Sequence, residues 1–177
     1  MWPSHATIYL SAMGDSKMHG RKIGFWEEVY GFSYEPIRQW SLSEAHVFDV
    51  DGEKIVCDDC VLVELDLNTC KVEDLTISEE FDLWPFQENY IDAFVLWFDV
   101  FFRGGEEEIT LSTSPYTDPT HWSQTVFFLD GSYRLKKEEY VRGKFEMRPN
   151  AKNPRDQDFK ITYTAKGEEV TQEFKMR

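Results

Sequence analysis

The ten residues Ala93-Phe94-Val95-Leu96-Trp97-Phe98-Asp99-Val100-Phe101-Phe102 decide the fold class of this chain. Nine of them are apolar, so an extended strand over this stretch would be hydrophobic on both faces. Such a strand must be covered on both sides, as it is in the centre of a barrel packed against another layer. Asp99 is the only ionisable group in the run. Because burial of an unpaired carboxylate is costly, we expect Asp99 to have a partner.

Outward from this run, the chain is rich in further β-strand patterns. Besides a strand over residues 92–102, the β-branched and aromatic content predicts strands at 6–11, 61–67, 109–112, 124–129, 141–147, 159–164 and 170–174. Turn signals separate them: Arg103-Gly104-Gly105, Asp130-Gly131 and Arg148-Pro149-Asn150. The sequence therefore predicts a mainly β fold, either a β-barrel or a double sheet.

One segment departs from the β pattern. Over residues 22–30 the apolar side chains recur at steps of three and four residues, which predicts a short amphipathic helix ended by Gly31. Pro36 is expected to stop any continuation of that helix. Additional aromatic residues exceed what one face of a short helix can bury: Phe25, Phe32, Tyr34 and Trp40. We therefore predict a short helical arm inserted at about residues 16–50.

Size and charge limit the possible functions. The 177 residues, 41% of them hydrophobic, suffice for one core and one domain. The net charge of −14 argues against direct nucleic-acid binding and against an anionic membrane surface, and favours a cationic partner. Residues 134–177 hold 12 basic and 8 acidic side chains, so that part is +4 and the first 133 residues carry −18. With no apolar stretch of about 20 residues and no signal-peptide pattern, we expect a cytoplasmic or nuclear protein, or one found in both places.

The three cysteines have two possible readings. Cys57 and Cys60 have CxxC spacing, but a tetrahedral zinc site needs a second pair of ligands. Only Cys70 is left over, and none of the four histidines lies at zinc-finger spacing. Buried structural thiols are therefore favoured over a metal site.

Four ordered segments carry a resemblance to a known family. They are FWEEVYGF at 25–32, KVEDL at 71–75, STSP at 112–115 followed by THWSQTVFF at 120–128, and MRPNAKN at 147–153 followed by RD at 155–156 and DF at 158–159. Together they resemble the C-terminal half of the protein arginine N-methyltransferases, and look most like the type I branch that makes asymmetric dimethylarginine. The resemblance covers essentially the whole chain, and its specificity lies in the order and spacing of the segments.

The resemblance also shows what the chain lacks. Members of this family bind S-adenosyl-L-methionine on a Rossmann-type half that has a Gly-rich turn, an acidic ribose-binding residue and a loop with two glutamates. The chain has only 10 glycines and no GxGxxG pattern. The resemblance therefore implies that residues 1–177 are the β-barrel substrate-binding half with its arm, without the Rossmann cofactor domain. Such a chain is expected to bind no cofactor and to be inactive alone, and Met1 is then an artificial start or a natural truncation.

The Thr-His-Trp segment is the expected site. By resemblance, His121 would pair with an acid of the cofactor-binding half and relay the proton released in catalysis. Trp122 and Thr120 are the expected substrate-binding residues: Trp122 would form a wall of the arginine pocket, while Thr120, together with Gln124, would position the loop. The alternatives are an ordinary loop histidine and a tryptophan that anchors the loop in the core. No metal ligand is expected.

The arm and the acidic surface have implied partners. By resemblance, the arm docks on the partner's cofactor domain in a head-to-tail homodimer, through Phe25, Trp26, Tyr30, Phe32 and Tyr34. The alternative is that these aromatic residues cap the open end of the barrel. Substrates would be proteins with Arg/Gly-rich segments, such as histones and RNA-binding proteins, attracted by carboxylates that include Glu64 and Asp66.

Three functions are consistent with these observations. The first is the substrate-binding and dimerisation half of an arginine methyltransferase. The second is a non-catalytic scaffold or activator of a methyltransferase pair, although an idle Thr-His-Trp loop would be free to lose His121. The third is an unrelated β-sandwich binding module, which the aromatic and acidic content allows.

Overall fold

The computed structural model describes residues 1–105, 107–165 and 167–177. The strands of these residues are β1 His5–Met13, β2 His46–Phe48, β3 Cys60–Asp66, β4 Ile77–Leu83, β5 Asn89–Phe102, β6 Ile109–Ser112, β7 Gln124–Leu135, β8 Val141–Pro149, β9 Gln157–Ala165 and β10 Glu168–Met176. The helices are α1 Ser16–Lys22 and α2 Glu35–Leu42, with short 3-10 turns at Gly24–Glu27, Gly52–Lys54 and Val72–Leu75. Among these residues no helix is long and apolar enough to cross a membrane.

The strands form two antiparallel sheets. The first has the order β2-β7-β5-β1-β3, with β6 paired to β5, and the second has the order β10-β9-β8-β4. Backbone hydrogen bonds from Ala45 and Lys175 link the chain before β2 to β10, at N···O distances of 3.0 and 2.9 Å. The mainly β, double-sheet prediction is confirmed, and the two sheets do not close into one barrel.

Strand β5 lies in the middle of the first sheet and is buried on both sides, as its sequence predicts. Phe94 and Leu96 face the core between the sheets. Val95 and Trp97 face a second apolar cluster on the outer side. Successive side chains of a strand point to opposite faces, so a strand covered on both sides must be apolar at every position.

The second cluster exists because the arm covers the outer face of the first sheet. Ile23 and Leu42 of the arm pack in one cluster with Val126 and Phe128 of β7. Two histidine rings meet Phe128 edge-on, His19 at 5.9 Å and His46 at 5.2 Å between ring centroids. Each ring donates to a main-chain carbonyl: His19 to Leu129 at 2.8 Å, and His46 to Ser41 at 2.9 Å.

The helix prediction for residues 22–30 is wrong in register. Helix α1 begins six residues earlier, where the side chain of Asp15 caps it by accepting from the Met18 N–H at 2.9 Å. Gly31 does not end a helix. With Tyr30 it forms a tight turn in which both residues have positive φ, 55° and 82°, and which Val29 and Phe32 close with hydrogen bonds.

One further prediction needs correction, and one strand is missing from the predictions. Pro36 occupies the first turn of α2, where its missing N–H costs no hydrogen bond, so it starts a helix instead of breaking one. Strand β4 was not predicted, because its sequence ISEEFDL exposes consecutive acidic residues while burying Ile77, Phe81 and Leu83.

Candidate functional site

The Thr-His-Trp segment lies in the connection between β6 and β7. The connection begins at Thr113, which extends the pairing with β5: its N–H donates to the Phe98 carbonyl at 3.0 Å, and its hydroxyl donates to the same oxygen at 2.8 Å. The Phe98 N–H in turn donates to the Thr113 hydroxyl at 3.0 Å. The start of the connection is therefore held firmly on the central strand.

Gln124 holds the other end. Its side chain is 3% exposed. The amide nitrogen donates to the Thr113 carbonyl at 2.8 Å, and the amide oxygen accepts from the Val50 N–H at 2.7 Å. One buried side chain thus joins both ends of the connection to the segment that follows β2.

Between these anchors, residues 120–123 form a tight turn. The Ser123 N–H donates to the Thr120 carbonyl at 3.2 Å, and Ser123 has φ 51°. The rings of His121 and Trp122 meet edge-on at 5.9 Å, and Trp122 meets Phe98 at 6.3 Å. His121 is exposed, and 53% of Trp122 is exposed. The turn therefore presents an imidazole and an indole to solvent beside the end of β5.

Thr120 differs from its two neighbours. Its hydroxyl oxygen is buried and has no hydrogen-bond partner within the described residues. A buried hydroxyl without a partner is costly, so this atom is suited to a group that the described residues do not supply. The three residues predicted as the site therefore lie together on one anchored turn.

Within the part of the chain that the structure describes, Asp99 lacks the hydrogen-bond partner that its burial predicts. Among the described residues, nothing hydrogen-bonds its buried Oδ1. Its side chain is only half-buried, which leaves the carboxylate partly hydrated. Its negative charge acts on the neighbouring strand: burial raises the pKa of Tyr9, and the Asp99 carboxylate raises it further.

A cavity of about 390 Å³ lies between β3 and the segment leading into β4. Of the described residues, five carboxylates and no basic side chain line it: Glu64, Asp66, Glu73, Asp74 and Glu79. The two acidic residues singled out from the sequence therefore lie in a concave, strongly negative surface. Such a surface attracts cations and repels anionic groups.

The aromatic residues of the arm are mostly exposed. The exposed fraction is 52% for Phe25, 97% for Tyr30, 69% for Phe32 and 39% for Tyr34. Trp26 is half-buried and meets the Phe25 ring edge-on at 5.1 Å. Side chains this open to solvent do not cap a core, so the alternative that they close the barrel is not supported.

The cysteines are placed as structural thiols. Cys57 is fully buried, and burial raises the pKa of its thiol to about 12. Cys60 is half-buried, and burial raises its pKa as well. Over the described ranges, no three His, Cys, Asp or Glu side chains are placed to hold a metal ion together.

Among the described residues, the two sheets differ from the architecture of a dinucleotide-type site. All strand pairings in both sheets are antiparallel. A dinucleotide-type site needs parallel strands and a Gly-rich turn that leads into a helix.

Sequence reasoning identified Gln124 as a residue that positions the turn, but it missed the other residues that hold the turn in place. The roles of Phe98, Thr113 and Val50 depend on contacts between segments far apart in the chain. The one signal available was the Gln that follows the Thr-His-Trp segment, and its two hydrogen bonds could not be read from the sequence.

Comparison with known proteins identifies the family to which this chain belongs. Residues 4–168 match the family model described as the arginine methyltransferase oligomerization subdomain. The chain is 38% identical over 179 residues to protein arginine N-methyltransferase 1 of Chlamydomonas reinhardtii, covering 99% of this chain and 52% of the algal protein. It is 39% identical over 168 residues to protein arginine N-methyltransferase 1 of Caenorhabditis elegans, covering 95% of this chain and 48% of that protein. The chain thus spans about half the length of these relatives.

A solved structure agrees with the sequence relatives. The chain superposes with a TM-score of 0.93 on a chain of the PRMT1 enzyme-prozyme heterotetrameric complex of Trypanosoma brucei with AdoHcy, at 30% identity. The match covers 99% of this chain and 57% of that one.

Proposed function

Because the chain belongs to the arginine methyltransferase family, in its oligomerization subdomain, we propose that it is the substrate-positioning and dimerisation half of an S-adenosyl-L-methionine-dependent protein arginine N-methyltransferase. The observation that carries this proposal is the anchored turn at residues 120–123. It presents His121 and Trp122 side by side, Gln124 anchors its end, and the Phe98 ring packs against Trp122. A cofactor-binding half would be supplied by another polypeptide segment, so the chain alone is expected to be inactive.

The side chains of the turn have the chemistry that methylation of a guanidinium requires. The target must be held flat and in line, and it must eventually lose a proton. The exposed indole of Trp122 offers a flat face on which a guanidinium can stack. His121 can accept a proton or pair with an acid of the other half. The buried, unpartnered hydroxyl of Thr120 is available to anchor the turn on that half.

The negative cavity supports arginine-rich proteins as substrates. Its carboxylates form no ion pair with another described residue, so they raise the local concentration of a cationic tail and speed its approach, while each surface contact contributes little affinity. The same charge opposes the binding of nucleic acid. We place the reaction in the cytoplasm, the nucleus or both.

The exposed aromatic residues of the arm support dimerisation. Tyr30 and Phe32 stand at the closed end of a tight turn, where a partner surface can reach them. Aromatic side chains remove much apolar area from water at little entropic cost, which suits them to such contacts. The partner in this proposal is a second copy of the enzyme.

Reconstitution tests the proposal. The chain is mixed with the cofactor-binding half of the Chlamydomonas relative, and methyl transfer from S-adenosyl-L-methionine to an Arg-Gly peptide is measured. Activity is expected in the mixture and not in either part alone. Calorimetry should show no saturable cofactor binding by the chain alone, and saturable binding there would overturn the proposal.

A second candidate function is activation of a separate catalytic chain. The relative in the Trypanosoma structure is part of an enzyme-prozyme complex, which favours keeping this candidate. In that case a full-length arginine methyltransferase would become faster when the chain is added, and His121→Ala would stimulate it as well as the wild type. In the first function, His121→Ala removes the activity of the reconstituted mixture.

A further inference from the structure

No buried side chain holds the part of the arm that carries its exposed aromatic residues. Ile23 and Leu42 pack in the apolar cluster on the outer face of the first sheet. Between Ile23 and Ser41, however, every side chain is half-buried or exposed. Apolar packing therefore fixes the two ends of this stretch, and the orientation of residues 24–40 must come from another kind of contact.

Part of this stretch folds into a small hairpin over residues 26–34, which we call the arm hairpin. At its base, the Tyr34 N–H donates to the Trp26 carbonyl at 3.0 Å. Its tip carries the exposed rings of Tyr30 and Phe32. Because the hairpin is ordered by its own hydrogen bonds, what remains to be fixed is its direction relative to the two sheets.

One side chain connects the arm hairpin to the sheets. The Arg38 Nη2 donates to the Asp130 carboxylate of β7 at 2.6 Å, and the Nη1 donates to the Glu35 carboxylate at 3.3 Å. Glu27, at the base of the hairpin, lies 3.5 Å from the Arg38 Nε. Among the described residues, the bond to Asp130 is the one hydrogen bond, ion pair or ring contact between residues 24–40 and the strands.

Arg38 is placed to act as a clamp. Its side chain is only 12% exposed, although the three carboxylates are more than half exposed. Each pair alone would contribute little, so the effect depends on their convergence on one guanidinium. The main-chain N–H of Arg38 also donates to the Tyr34 carbonyl at 3.0 Å. Arg38 thus holds both sides of the hairpin base, Tyr34 through its main chain and Glu27 through its side chain.

A bulge in β7 brings Asp130 to the arm. In the pairing of β7 with β5, residues 129–132 lie opposite Asp92 alone. Asp92 is 1% exposed and accepts a hydrogen bond from the Ser132 hydroxyl, which stabilises the bulge. A bulge bends its strand and redirects the side chains, and here the Asp130 carboxylate is left exposed where Arg38 reaches it.

A second bond from the arm ends on the same bulge. The His19 ring of α1 donates to the Leu129 carbonyl at 2.8 Å. Helix α1 precedes the arm hairpin in the chain and α2, which carries Arg38, follows it. The bulge is therefore the place where the sheet receives the arm on both sides of the hairpin.

We propose that Arg38 is the positioning residue of the dimerisation arm. Its bonds to Asp130 and to the base of the arm hairpin fix the direction in which the aromatic tip is presented to a second copy of the enzyme. That contact is part of the proposed function, on which this inference rests. A surface already held in its binding orientation loses less freedom on association, so the clamp strengthens the contact without touching the partner.

Loss of the guanidinium would do more than remove three ion pairs. Without it, carboxylates of the arm and of the sheet would face each other and repel. Asp130→Asn breaks the bond to the sheet but also removes one of these charges, so it should loosen the hairpin less than Arg38→Gln. Arg38→Lys keeps the charge and loses the planar fork, so its effect should be smaller than that of Arg38→Gln.

Hydrogen exchange followed by peptide mass spectrometry tests the proposal on the chain itself. In Arg38→Gln the amides of residues 26–34 are expected to exchange about tenfold faster or more, while those of β5 keep their rates. Arg38→Lys should restore most of the protection. Arg21→Gln is the matched control, because Arg21 lies in the same arm, is exposed, and has only the Met18 sulfur as a hydrogen-bond partner among the described residues.

Sedimentation velocity measures the consequence for dimerisation. The chain is mixed with the cofactor-binding half of the Chlamydomonas relative, and the wild type is expected to form assemblies with two copies of each part. If about a third of the chains without the clamp present the hairpin correctly, and both copies must do so, the Kd of this step rises about tenfold in Arg38→Gln. Tyr30→Lys, at the tip, should weaken the same step without changing exchange at the hairpin base.

Two results would overturn the proposal. One is an Arg38→Gln variant in which either the hairpin exchange or the assembly matches the wild type. The other is exchange that rises equally in β5 and in the hairpin, because Arg38 would then serve general stability only. A wild-type mixture that never passes one copy of each part would instead contradict the proposed dimerisation, while exchange would still decide whether Arg38 fixes the hairpin.

Discussion

The side-chain amide of Gln124 donates to the main-chain carbonyl of Thr113 across the mouth of the connection that carries the Thr-His-Trp segment. The two residues are eleven apart in the chain and only 2.8 Å apart at the bonded atoms. The same amide accepts from the Val50 N–H. One buried side chain therefore contributes two of the hydrogen bonds that position the turn.

Replacement of Gln124 by Ala should destabilise the protein. It removes two hydrogen bonds and leaves the Val50 N–H and the Thr113 carbonyl buried without these partners, so we expect a loss of about 2–4 kcal/mol in the free energy of unfolding. Urea unfolding followed by fluorescence measures it. Gln87→Ala, at an exposed position, is the control and should change stability by less than about 0.5 kcal/mol. Equal effects would show that Gln124 is not the anchor.

Stability should fall in mild acid because of His46. Burial lowers the pKa of this histidine below its usual value, ahead of the smaller opposing effect of the Ser41 carbonyl. The unfolded chain therefore takes up a proton near pH 6.5 while the folded chain stays neutral, so stability is lost as pH falls from about 7 towards the lowered pKa.

The substitution His46→Gln checks this assignment. It should reduce the slope of unfolding free energy against pH between about pH 7 and pH 5, and it should leave the slope above pH 7 unchanged, since His46 is neutral in both states there. An undiminished slope below pH 7 would assign the acid sensitivity to another group.

Cys57 should resist alkylation in the folded protein. Its thiol is buried and its pKa is raised to about 12, so almost no thiolate is present at neutral pH. Iodoacetamide at about pH 8 should label Cys70 before Cys57, as peptide mass spectrometry can show. In urea all three cysteines should react, and rapid labelling of Cys57 without denaturant would contradict its burial.

Two glycine-to-alanine substitutions should have opposite signs. At Gly143 an added Cβ would overlap the Phe81 ring and the Thr162 carbonyl, whereas at Gly20, inside α1, it would meet nothing within 4 Å. We expect Gly143→Ala to destabilise by about 1–3 kcal/mol, and Gly20→Ala to stabilise by about 0.5–1 kcal/mol through helix propensity. Thermal unfolding of both variants measures this, and a shift in the same direction would count against the packing described at Gly143.

In the reconstituted enzyme, substitutions in the turn should separate binding from chemistry. Trp122→Ala is expected to raise KM for an Arg-Gly peptide by about tenfold, the loss of roughly one stacking contact. His121→Ala is expected to lower kcat by about a hundredfold, with KM for the peptide little changed. Steady-state kinetics with varied peptide distinguishes the two, and calorimetry checks that cofactor affinity is the same in both variants.

The double-sheet fold followed from local pattern. The apolar run 93–102 could only be a strand covered on both sides, and the strand predictions around it agree with the structure. One error comes from a local capping signal that was overlooked, and the other from a tertiary contact that overrides local preference. Helix α1 is capped at Asp15 and ends before Gly24, and the acidic strand β4 is held by its pairing with β8.

By itself, the sequence determined the fold class, the excess of negative charge and the Thr-His-Trp segment, because composition, periodicity and motif order are properties of neighbouring residues. Only the tertiary structure decided that Gln124 and Phe98 hold that segment in place, that Asp99 is left without a hydrogen bond to its buried oxygen among the described residues, and that Arg38 bonds Asp130. These relationships join residues many positions apart, and their distances are set by how the two sheets and the arm pack together.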